Sequence, residues 1–320
     1  MDPKISVVMS VYNAEEHIEA SIQSILGQSF KGFEFLIVND GSTDSTFSKL
    51  QKFAKIDSRI TLLNQENIGL TKSLVKAIKL SKGRYIARMD ADDVSTNNRF
   101  VFQLRYLEKY PAVGMIGSCV QIIDSLGRKQ SNKKLPQSNN IIKRRLKYGN
   151  QFVHGSVMFA RDVYFAVGGY DEYFRYSQDY DLWLRISKIS QCANHPDYLY
   201  LLRVHDCSIS NKNSDSQLDF AVDAIIKNVP HDQLENDNLS FGIRRDWKVF
   251  GGKDQGVDID RVKRIVSARL LLRRGDYKRA MLFYSKLNTI EAMFMLLILR
   301  SSRITFVAKK VYSGMARILK

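Results

Sequence analysis

Short apolar runs alternate with amphipathic segments along the N-terminal part of the chain. Runs rich in β-branched and aromatic residues predict four strands, at Ile5–Val11, Phe33–Val38, Ile60–Leu63 and Tyr85–Met89. The segments between them carry apolar residues at helical spacing and predict helices at Ile18–Leu26, Thr43–Ala54 and Leu70–Leu80. Strands and helices that alternate in this way favour an α/β fold, a mainly parallel sheet with helices on both faces.

Polar and acidic residues follow three of these strands, at Tyr12-Asn13, at Asn39–Asp44 and at Asp90–Asp93. Ligands of parallel sheets bind where strands end, although a helix cap or a tight turn explains each group taken alone. The last group differs, because Asp90, Asp92 and Asp93 repel one another unless a cation lies between them. Carboxylate oxygens are ligands that Mg²⁺ and Mn²⁺ prefer, so this group predicts a divalent ion that holds a diphosphate.

Longer stretches of the sequence resemble a known family. The segments are, in order, SVVMSVYNAEEHIEASIQSILGQSFKGFEFLIVNDGSTDST, ENIGLTKSL, GRYIARMDADD, HGSVMF (His154–Phe159), GGYDE (Gly168–Glu172), QDYDLWLRI (Gln178–Ile186) and LLRVHDCSIS (Leu201–Ser210). Over about residues 4–210 they resemble the family-2 glycosyltransferases of the GT-A fold. The resemblance implies an enzyme that moves a sugar from a nucleotide diphosphate to an acceptor hydroxyl with inversion.

The resemblance also implies how the donor is bound. Tyr12 would stack on the nucleotide base, and Asp40 would bond the N–H edge of that base. The residues implied to bind the nucleotide sugar are Ser10, Tyr12, Asp40, Asn67, Gly69, Asp90 and Asp92. A Mn²⁺ or Mg²⁺ cofactor would be held by Asp90, Asp92 and, as a third ligand, His205, although a lone histidine equally fits a structural role. Arg88 is expected to pack against Asp40.

A second set of residues is implied for the acceptor. Asp179 opens a predicted helix and would be the catalytic base that removes the proton of the acceptor hydroxyl. A carboxylate at this position is equally suited to a plain helix cap, stabilised by the helix dipole. The residues implied to line the acceptor side are His154, Gln178, Asp181 and Trp183. A short strand is predicted at Val157–Ala160, directly after His154.

Composition limits the class of protein. Of 320 residues, 44% are hydrophobic and 26% are charged, which excludes a disordered or collagen-like chain. The three cysteines are too few for a disulfide framework and fit a reducing cytoplasm. The first residues do not resemble a signal peptide, and the longest apolar run, Ala292–Leu299, is far shorter than the ~20 residues of a spanning helix. We therefore expect no membrane-spanning segment.

The formal charge of +16 is concentrated in the C-terminal quarter. Residues 1–243 carry 30 basic and 27 acidic side chains, whereas residues 244–320 carry 19 basic and 6 acidic ones. The last segment predicts a helix with basic residues largely off one apolar face, formed by Ile304, Val307, Val311, Met315, Ile318 and Leu319. This pattern is typical of a helix that contacts an anionic membrane surface. The same pattern also fits a terminal helix that packs on its own domain and exposes its basic face to solvent. No nucleic-acid motif accompanies it.

These patterns predict three regions, a GT-A domain at 1–215, a polar linker with some helix at 216–260 and a basic helical region at 261–320. The expected enzyme transfers a hexose or N-acetylhexosamine from a UDP-linked donor, with dTDP- and GDP-sugars as alternatives. The expected acceptor is a glycan on a polyprenyl diphosphate in O-antigen or capsule synthesis, at the cytoplasmic face of the cell membrane. The two alternatives are a transferase acting on protein or a soluble glycan, and a non-catalytic module that binds sugar nucleotides.

Overall fold

A mixed sheet forms the centre of the fold in the computed structural model. The structure describes residues 2–204 and 214–230, together with six single positions, Lys263, Val266, Ser267, Leu270, Leu271 and Arg279. The chain divides into two compact units, residues 1–224 and residues 225–320. The sheet belongs to the first unit.

The strands of the sheet are β1 (Ile5–Val11), β2 (Phe33–Asp40), β3 (Ile60–Gln65), β4 (Tyr85–Arg88), β5 (Val94–Ser95), β6 (Val113–Ile123), β7 (Lys129–Lys133), β8 (Met158–Ala160) and β9 (Gln191–Arg203). Their order in the sheet is β3-β2-β1-β4-β8-β6-β9-β5. β7 is not part of this order and pairs with β6. β1 runs parallel to β2 and β4, and β2 runs parallel to β3. The parallel sheet predicted from the alternating pattern is therefore confirmed for the N-terminal half, and β1 has the predicted bounds.

The helices are α1 (Ile18–Leu26), α2 (Thr46–Ile56), α3 (Leu70–Leu80), α4 (Arg99–Lys109), α5 (Asn139–Leu146), α6 (Arg161–Ala166), α7 (Gln178–Ile189) and α8 (Ser214–Asn228), with a 3-10 helix at His154–Ser156. The apolar residues that predicted α3, such as Leu74 and Ile78, are the ones it buries. α2 begins later than predicted. Thr43 is held in the preceding loop by Asn13, and Asp44 accepts the first amide of the helix, that of Thr46.

The second half of the sheet brings late segments of the chain next to β4. β8 lies between β4 and β6 and is antiparallel to both, while β6 runs parallel to β9. Arg99, at the start of α4, is fully buried and donates from Nη2 to the carbonyls of Arg88 (2.9 Å) and Val157 (3.2 Å). Because a buried cation must be hydrogen-bonded, this side chain holds the end of β4 beside the start of β8.

Much of the predicted C-terminal organisation lies outside the described residues. α8 runs across the predicted boundary between residues 215 and 216. Most of the linker predicted at 216–260, nearly all of the basic region at 261–320 and the amphipathic helix near its end are not described, so these boundaries stay predictions. None of the described helices is both long and apolar enough to cross a membrane.

Candidate functional site

Side-chain hydrogen bonds join the loops at the ends of β1 and β2. Asn13 Oδ1 accepts the amide of Thr43 (2.8 Å), and Asn13 Nδ2 donates to the Thr43 hydroxyl (3.2 Å). Asn13 has a φ of 47°, a left-handed conformation that asparagine tolerates better than most residues. The neighbouring Tyr12 is 52% exposed, so its ring is accessible for stacking. Ser10 lies two residues earlier and is partly buried.

The carboxylate of Asp40 is buried at the end of β2 and organises the loop after β3. Its Oδ1 accepts hydrogen bonds from Gln65 Nε2 (2.8 Å) and the Ile68 amide (2.9 Å), and its Oδ2 accepts the Gly69 amide (2.9 Å). Gly69 precedes α3 with a φ of 92°, which favours glycine. The structure therefore brings Asp40, Asn67 and Gly69 together, and their contacts with a nucleotide stay predictions.

The expected contact between Arg88 and Asp40 is wrong. Arg88 Nη2 donates instead to Asp90 Oδ1, at 2.6 Å. The reason is that β1 separates β4, which carries Arg88, from β2, which carries Asp40. The Arg88 side chain is almost fully buried, and its Nε and Nη1 have no hydrogen-bond partner among the described residues. Arg88 thus supplies a buried positive charge beside Asp90.

A cleft of about 490 Å³ opens where β2 and β3 end. Its lining consists of Asn39, Gly41, Ser42, Phe47, Asn64, Gln65, Glu66 and Asn67. The buried Asn39 donates from Nδ2 to Asn64 Oδ1 (2.7 Å), whereas its Oδ1 has no partner among the described residues. Of the predicted donor-binding residues, the lining includes Asn67. The cleft therefore adjoins the predicted base site and is distinct from the region around Asp90.

The three acidic residues after β4 have different environments. The Asp90 side chain is 30% exposed, and burial raises its pKa against the opposing charge of Arg88. Asp92 is partly exposed, and its charge adds to the rise at Asp90. Asp93 turns into the protein, where its Oδ1 accepts the amide of Arg203 at 2.6 Å, and burial raises its pKa well above the usual value. Asp90 and Asp92 therefore face the solvent side, while Asp93 is part of the fold.

The chemistry of Asp90 and Asp92 fits a divalent cation. These two carboxylates and the inward-facing carboxylate of Asp93 repel one another, and a divalent cation relieves that repulsion. Mg²⁺ is commonly bound by one or two carboxylates together with substrate phosphates and water. No group of three or more His, Cys, Asp or Glu side chains that could hold a metal occurs among the described residues, and His205 lies outside them. Asp90 and Asp92 are thus the described residues that could hold the cation.

Asp179 is the second residue of α7 and lies in a desolvated position. Burial raises the pKa of its carboxyl to about 6. The hydrogen bond that Asn150 Nδ2 donates to Asp179 Oδ2, at 2.7 Å, opposes this rise, and the negative charge of Asp90 adds to it. A carboxylate with this pKa is ionised at neutral pH and is more basic than an ordinary aspartate, which suits a general base.

The charges of Asp179 and Asp90 interact, and the short segment at residues 154–156 lies against Asp90. In that segment, a Cβ at Gly155 would lie 2.6 Å from Asp90 Oδ2 and would overlap the hydroxyl of Tyr200. The Tyr200 hydroxyl itself accepts the amide of Asp90, at 3.2 Å. The close approach of these groups therefore requires glycine at position 155.

His154 begins the same segment and is neutral at physiological pH. Its Nε2 lies 2.7 Å from the Tyr170 hydroxyl. Burial lowers the pKa of His154 well below the usual value, and the charge of Arg88 adds to this effect. His154 thus presents an uncharged side chain that takes part in a hydrogen bond, and its place on the acceptor side stays a prediction.

Three other residues predicted on the acceptor side are buried in α7. Trp183 is fully buried against Phe152 and Phe159, and Asp181 is fully buried in an ion pair with Arg185. Gln178 is buried at the start of the helix. These contacts stabilise the helix that carries Asp179, and direct contact with an acceptor stays a prediction.

Asn150 is a site residue that the sequence pattern did not indicate. It lies between α5 and the 3-10 helix, and its Oδ1 accepts the amide of Phe152 (3.0 Å) while its Nδ2 bonds Asp179. Gly149-Asn150 is a combination typical of turns, so no local signal separates this asparagine from others. Its role becomes visible through the contact with a residue 29 positions later.

Comparison with known proteins identifies the family. The family model described as Glycosyl transferase family 2 matches residues 6–167. The amylovoran biosynthesis glycosyltransferase AmsE of Erwinia amylovora is 33% identical over 202 residues, which cover 62% of this chain and 75% of AmsE. The O-antigen biosynthesis glycosyltransferase WbnJ of Escherichia coli is 35% identical over 191 residues, which cover 59% of this chain and 73% of WbnJ.

Solved structures share the fold at low sequence identity. S. aureus TarS 1-349 in complex with UDP-GlcNAc aligns with a TM-score of 0.62 at 15% identity, covering 92% of this chain and 79% of that one. The mannosyltransferase PcManGT of Pyrobaculum calidifontis, in complex with GDP-Man and Mn²⁺, aligns with a TM-score of 0.58 at 18% identity, covering 100% and 81%. These likenesses show the fold alone, and they confirm the predicted GT-A architecture. The family match extends over half of the chain, and the protein belongs to glycosyltransferase family 2.

Proposed function

We propose that the protein is an inverting transferase that moves a hexose or N-acetylhexosamine from a UDP-linked donor to a hydroxyl of a lipid-linked glycan. The observation that carries this proposal is that the charge of Asp90, which adjoins Asp92, acts on another carboxylate, Asp179, whose pKa is raised to about 6. Asp90 and Asp92 suit a cation that holds a diphosphate, and Asp179 suits a base. An inverting sugar transfer requires both.

In the proposed reaction Asp179 accepts the proton of the acceptor hydroxyl while the hydroxyl oxygen bonds to the anomeric carbon. The bond from that carbon to the diphosphate oxygen breaks on the opposite face, and the nucleoside diphosphate leaves with the electron pair. Asp90 and Asp92 would hold Mn²⁺ or Mg²⁺, and the bound ion would supply Lewis-acid stabilisation of the charge on the leaving diphosphate. Asn150 keeps the carboxylate of Asp179 oriented through its hydrogen bond.

Asp40 retains the capacity to bind the nucleotide base. Its Oδ1 already accepts two hydrogen bonds, whereas its Oδ2 accepts one, that of the Gly69 amide. A carboxylate oxygen accepts two hydrogen bonds, so Oδ2 has one lone pair left for a base N–H. Tyr12 and Asp40 follow Val11 and Asn39, the last paired residues of β1 and β2, and the exposed ring of Tyr12 provides the stacking surface in this proposal.

The lipid-linked acceptor and the cytoplasmic membrane face belong to the same proposal. Support comes from the names of two relatives, which act in amylovoran and O-antigen biosynthesis. The basic C-terminal quarter, with 19 basic and 6 acidic residues, adds support because it suits anionic lipid and diphosphate. An acceptor on protein or a soluble glycan is the alternative. A non-catalytic module is disfavoured, since such a module has no need for a base at Asp179.

The test is a transfer assay with the full chain, Mn²⁺ and UDP-, GDP- and dTDP-sugars. Each donor is offered a polyprenyl-diphosphate oligosaccharide and, in parallel, the same oligosaccharide released from its lipid. Metal-dependent transfer from a UDP-sugar to the lipid-linked form, with inversion at the anomeric carbon, supports the proposal. Equal transfer to the released glycan contradicts the lipid-linked acceptor. Donor binding without transfer or hydrolysis contradicts an enzyme.

A further inference from the structure

One stretch of the first unit is rich in basic residues and contains no acidic residue. Residues 125–160 contain eight lysine and arginine side chains and no Asp or Glu. These eight are Arg128, Lys129, Lys133, Lys134, Lys143, Arg144, Arg145 and Lys147. They lie on β7, on the segment after it and on α5, and we call residues 128–147 the basic surface. The nearly balanced charge of residues 1–243 therefore includes a strongly basic region.

β7 forms the first part of the basic surface. It pairs with β6, with Lys133 opposite Val120 and Lys129 opposite Ile123, and all five of its residues are exposed. The pairing shifts register between Ile122 and Ile123, so Lys129 and Lys133 lie opposite β6 residues that are three positions apart and project to opposite sides of the strand. Lysines on an edge strand prevent edge-to-edge pairing with another sheet, and this alone would explain the lysines of β7. Protection of a strand edge does not explain the lysine and arginine residues of α5, which lie on a helix.

α5 forms the second part. Its buried residues are Ile142 and Leu146, which define the face that packs on the protein. At 100° per residue, Arg144 then lies on the opposite face of the helix, with Lys143 and Arg145 to either side. All three are exposed. The outward half of this short helix is therefore cationic.

Most of these cations are not neutralised within the fold. Arg128 pairs with Asp124 at 2.7 Å. In the part of the chain that the structure describes, no ion pair is formed by Lys129, Lys133, Lys134, Lys143 or Arg144. Cations without an internal partner are available to an external anion, and each lysine or arginine that approaches an anionic bilayer strengthens binding about fivefold.

Exposed apolar side chains accompany the charge. Leu126, in the turn between β6 and β7, is 74% exposed, and Ile141 on α5 is 38% exposed. Surfaces that lie on a bilayer combine basic residues with apolar ones that enter the boundary between headgroups and acyl chains. Single-stranded nucleic acid is instead bound with aromatic stacking, and residues 125–147 contain no aromatic residue.

We propose that the basic surface docks the catalytic unit on an anionic phospholipid bilayer. The surface adjoins the candidate base, because the carbonyl of Leu146, at the end of α5, accepts the Tyr180 hydroxyl from α7. Asn150, three residues beyond Lys147, bonds Asp179. A bilayer against α5 would thus lie beside the acceptor side of the site. This orientation rests on the proposed function, whereas the docking itself needs neither donor nor metal.

The test measures binding of the full chain to vesicles of phosphatidylglycerol and phosphatidylcholine by co-sedimentation, without donor or metal. The variant replaces Lys133, Lys134, Lys143 and Arg144 with Gln. A matched control replaces four exposed lysines on α2, on α3 and just after α3, namely Lys52, Lys55, Lys79 and Lys82. A tail variant replaces Arg303, Lys309, Lys310 and Arg317. Hydrogen exchange of the unmodified protein with and without vesicles provides a readout that does not depend on any substitution.

We expect the basic-surface variant to bind anionic vesicles at least about 100-fold more weakly and the control less than threefold more weakly. Amides of α5 and β7 should exchange more slowly on vesicles of phosphatidylglycerol and not on phosphatidylcholine. The proposal is overturned if the tail variant alone loses binding. It is equally overturned if the basic-surface variant binds vesicles normally but loses affinity for soluble polyphosphate, since the surface would then take a soluble polyanion. Failure of docking would leave the transfer reaction unaffected, so the two proposals can fail separately.

Discussion

Replacing Asn150 with alanine should shift the pH dependence of the enzyme toward higher pH. The hydrogen bond from Asn150 Nδ2 to Asp179 Oδ2 is 2.7 Å long and stabilises the ionised carboxylate. A hydrogen bond to a charged group contributes about 1.5–3 kcal/mol, and one pKa unit corresponds to about 1.4 kcal/mol. Removing the bond should therefore raise the pKa of Asp179 from about 6 by roughly one to two units.

The sign follows from the role of Asp179 as a base, which works only when ionised. The acidic limb of kcat/KM should move from about pH 6 to about pH 7.5 in the variant. At pH 6.5 the ionised fraction then falls from about three quarters to about one tenth, so kcat/KM should drop roughly eightfold. At pH 9 both forms are ionised, and the two enzymes should differ by less than about threefold.

The assay is the pH profile of sugar transfer for the Asn150→Ala variant between pH 5 and pH 9. Asn140→Ala is the matched control, because Asn140 is an exposed asparagine on α5 and the contacts of Asp179 do not include it. An acidic limb at the same pH in both variants would show that Asn150 does not act through the ionisation of Asp179. A pH-independent loss would assign Asn150 a structural role only.

Three further predictions concern neighbouring groups. Asp92→Ala should abolish the Mn²⁺-dependent part of UDP binding, measured by calorimetry with and without EDTA, and unchanged metal dependence would contradict its role as a ligand. Gly155→Ala should lower kcat/KM at least about tenfold, because the new Cβ would lie 2.6 Å from Asp90 Oδ2, and an unaffected rate would show that this segment can move aside. Asp181→Asn should lower the free energy of unfolding by about 3 kcal/mol in denaturant titration, since Arg185 loses a buried partner, whereas a loss below 1 kcal/mol would mean that the pair is solvated.

The regular elements with strong apolar patterns could be predicted from the sequence. β1 and α3 have the predicted bounds because their buried residues recur with the period of a strand or a helix. The predicted start of α2 was three residues too early. The start of α2 depends on the hydrogen bond of Thr43 to Asn13, a contact between two loops that no local pattern contains.

The order of the strands was less predictable. β8 is inserted between β4 and β6 by antiparallel pairing with a strand about seventy residues earlier in the chain. Pairing over such a distance depends on tertiary packing, including the buried Arg99 that bonds both neighbours. This insertion is what brings Gly155 beside Asp90. The family and the fold predicted through resemblance are confirmed, although the resemblance did not extend to the pairing of individual strands.

The sequence indicated the principal candidate residues of the site but not the contacts that support them. Asp90, Asp92 and Asp179 were indicated by their motifs, and their roles stay predictions. The inward orientation of Asp93, the ion pair of Arg88 with Asp90 and the bond from Asn150 were not indicated. Each of these depends on which side chain lies across a strand or loop, and this information is absent from residue spacing.

The central claim is that Asp179 is the base of a metal-assisted sugar transfer, and Asp179→Asn tests it most directly. Asparagine keeps the size of the side chain but cannot accept the proton, so kcat at pH 8 should fall about 10²–10⁴-fold. Binding of UDP with Mn²⁺ should stay within twofold, and the variant should be at least as stable, because a carboxylate whose pKa is raised in the folded state opposes folding when it is ionised. Asp162→Asn, an exposed aspartate on α6, serves as the control. A purified Asp179→Asn enzyme that transfers sugar at more than one tenth of the normal rate would contradict the account.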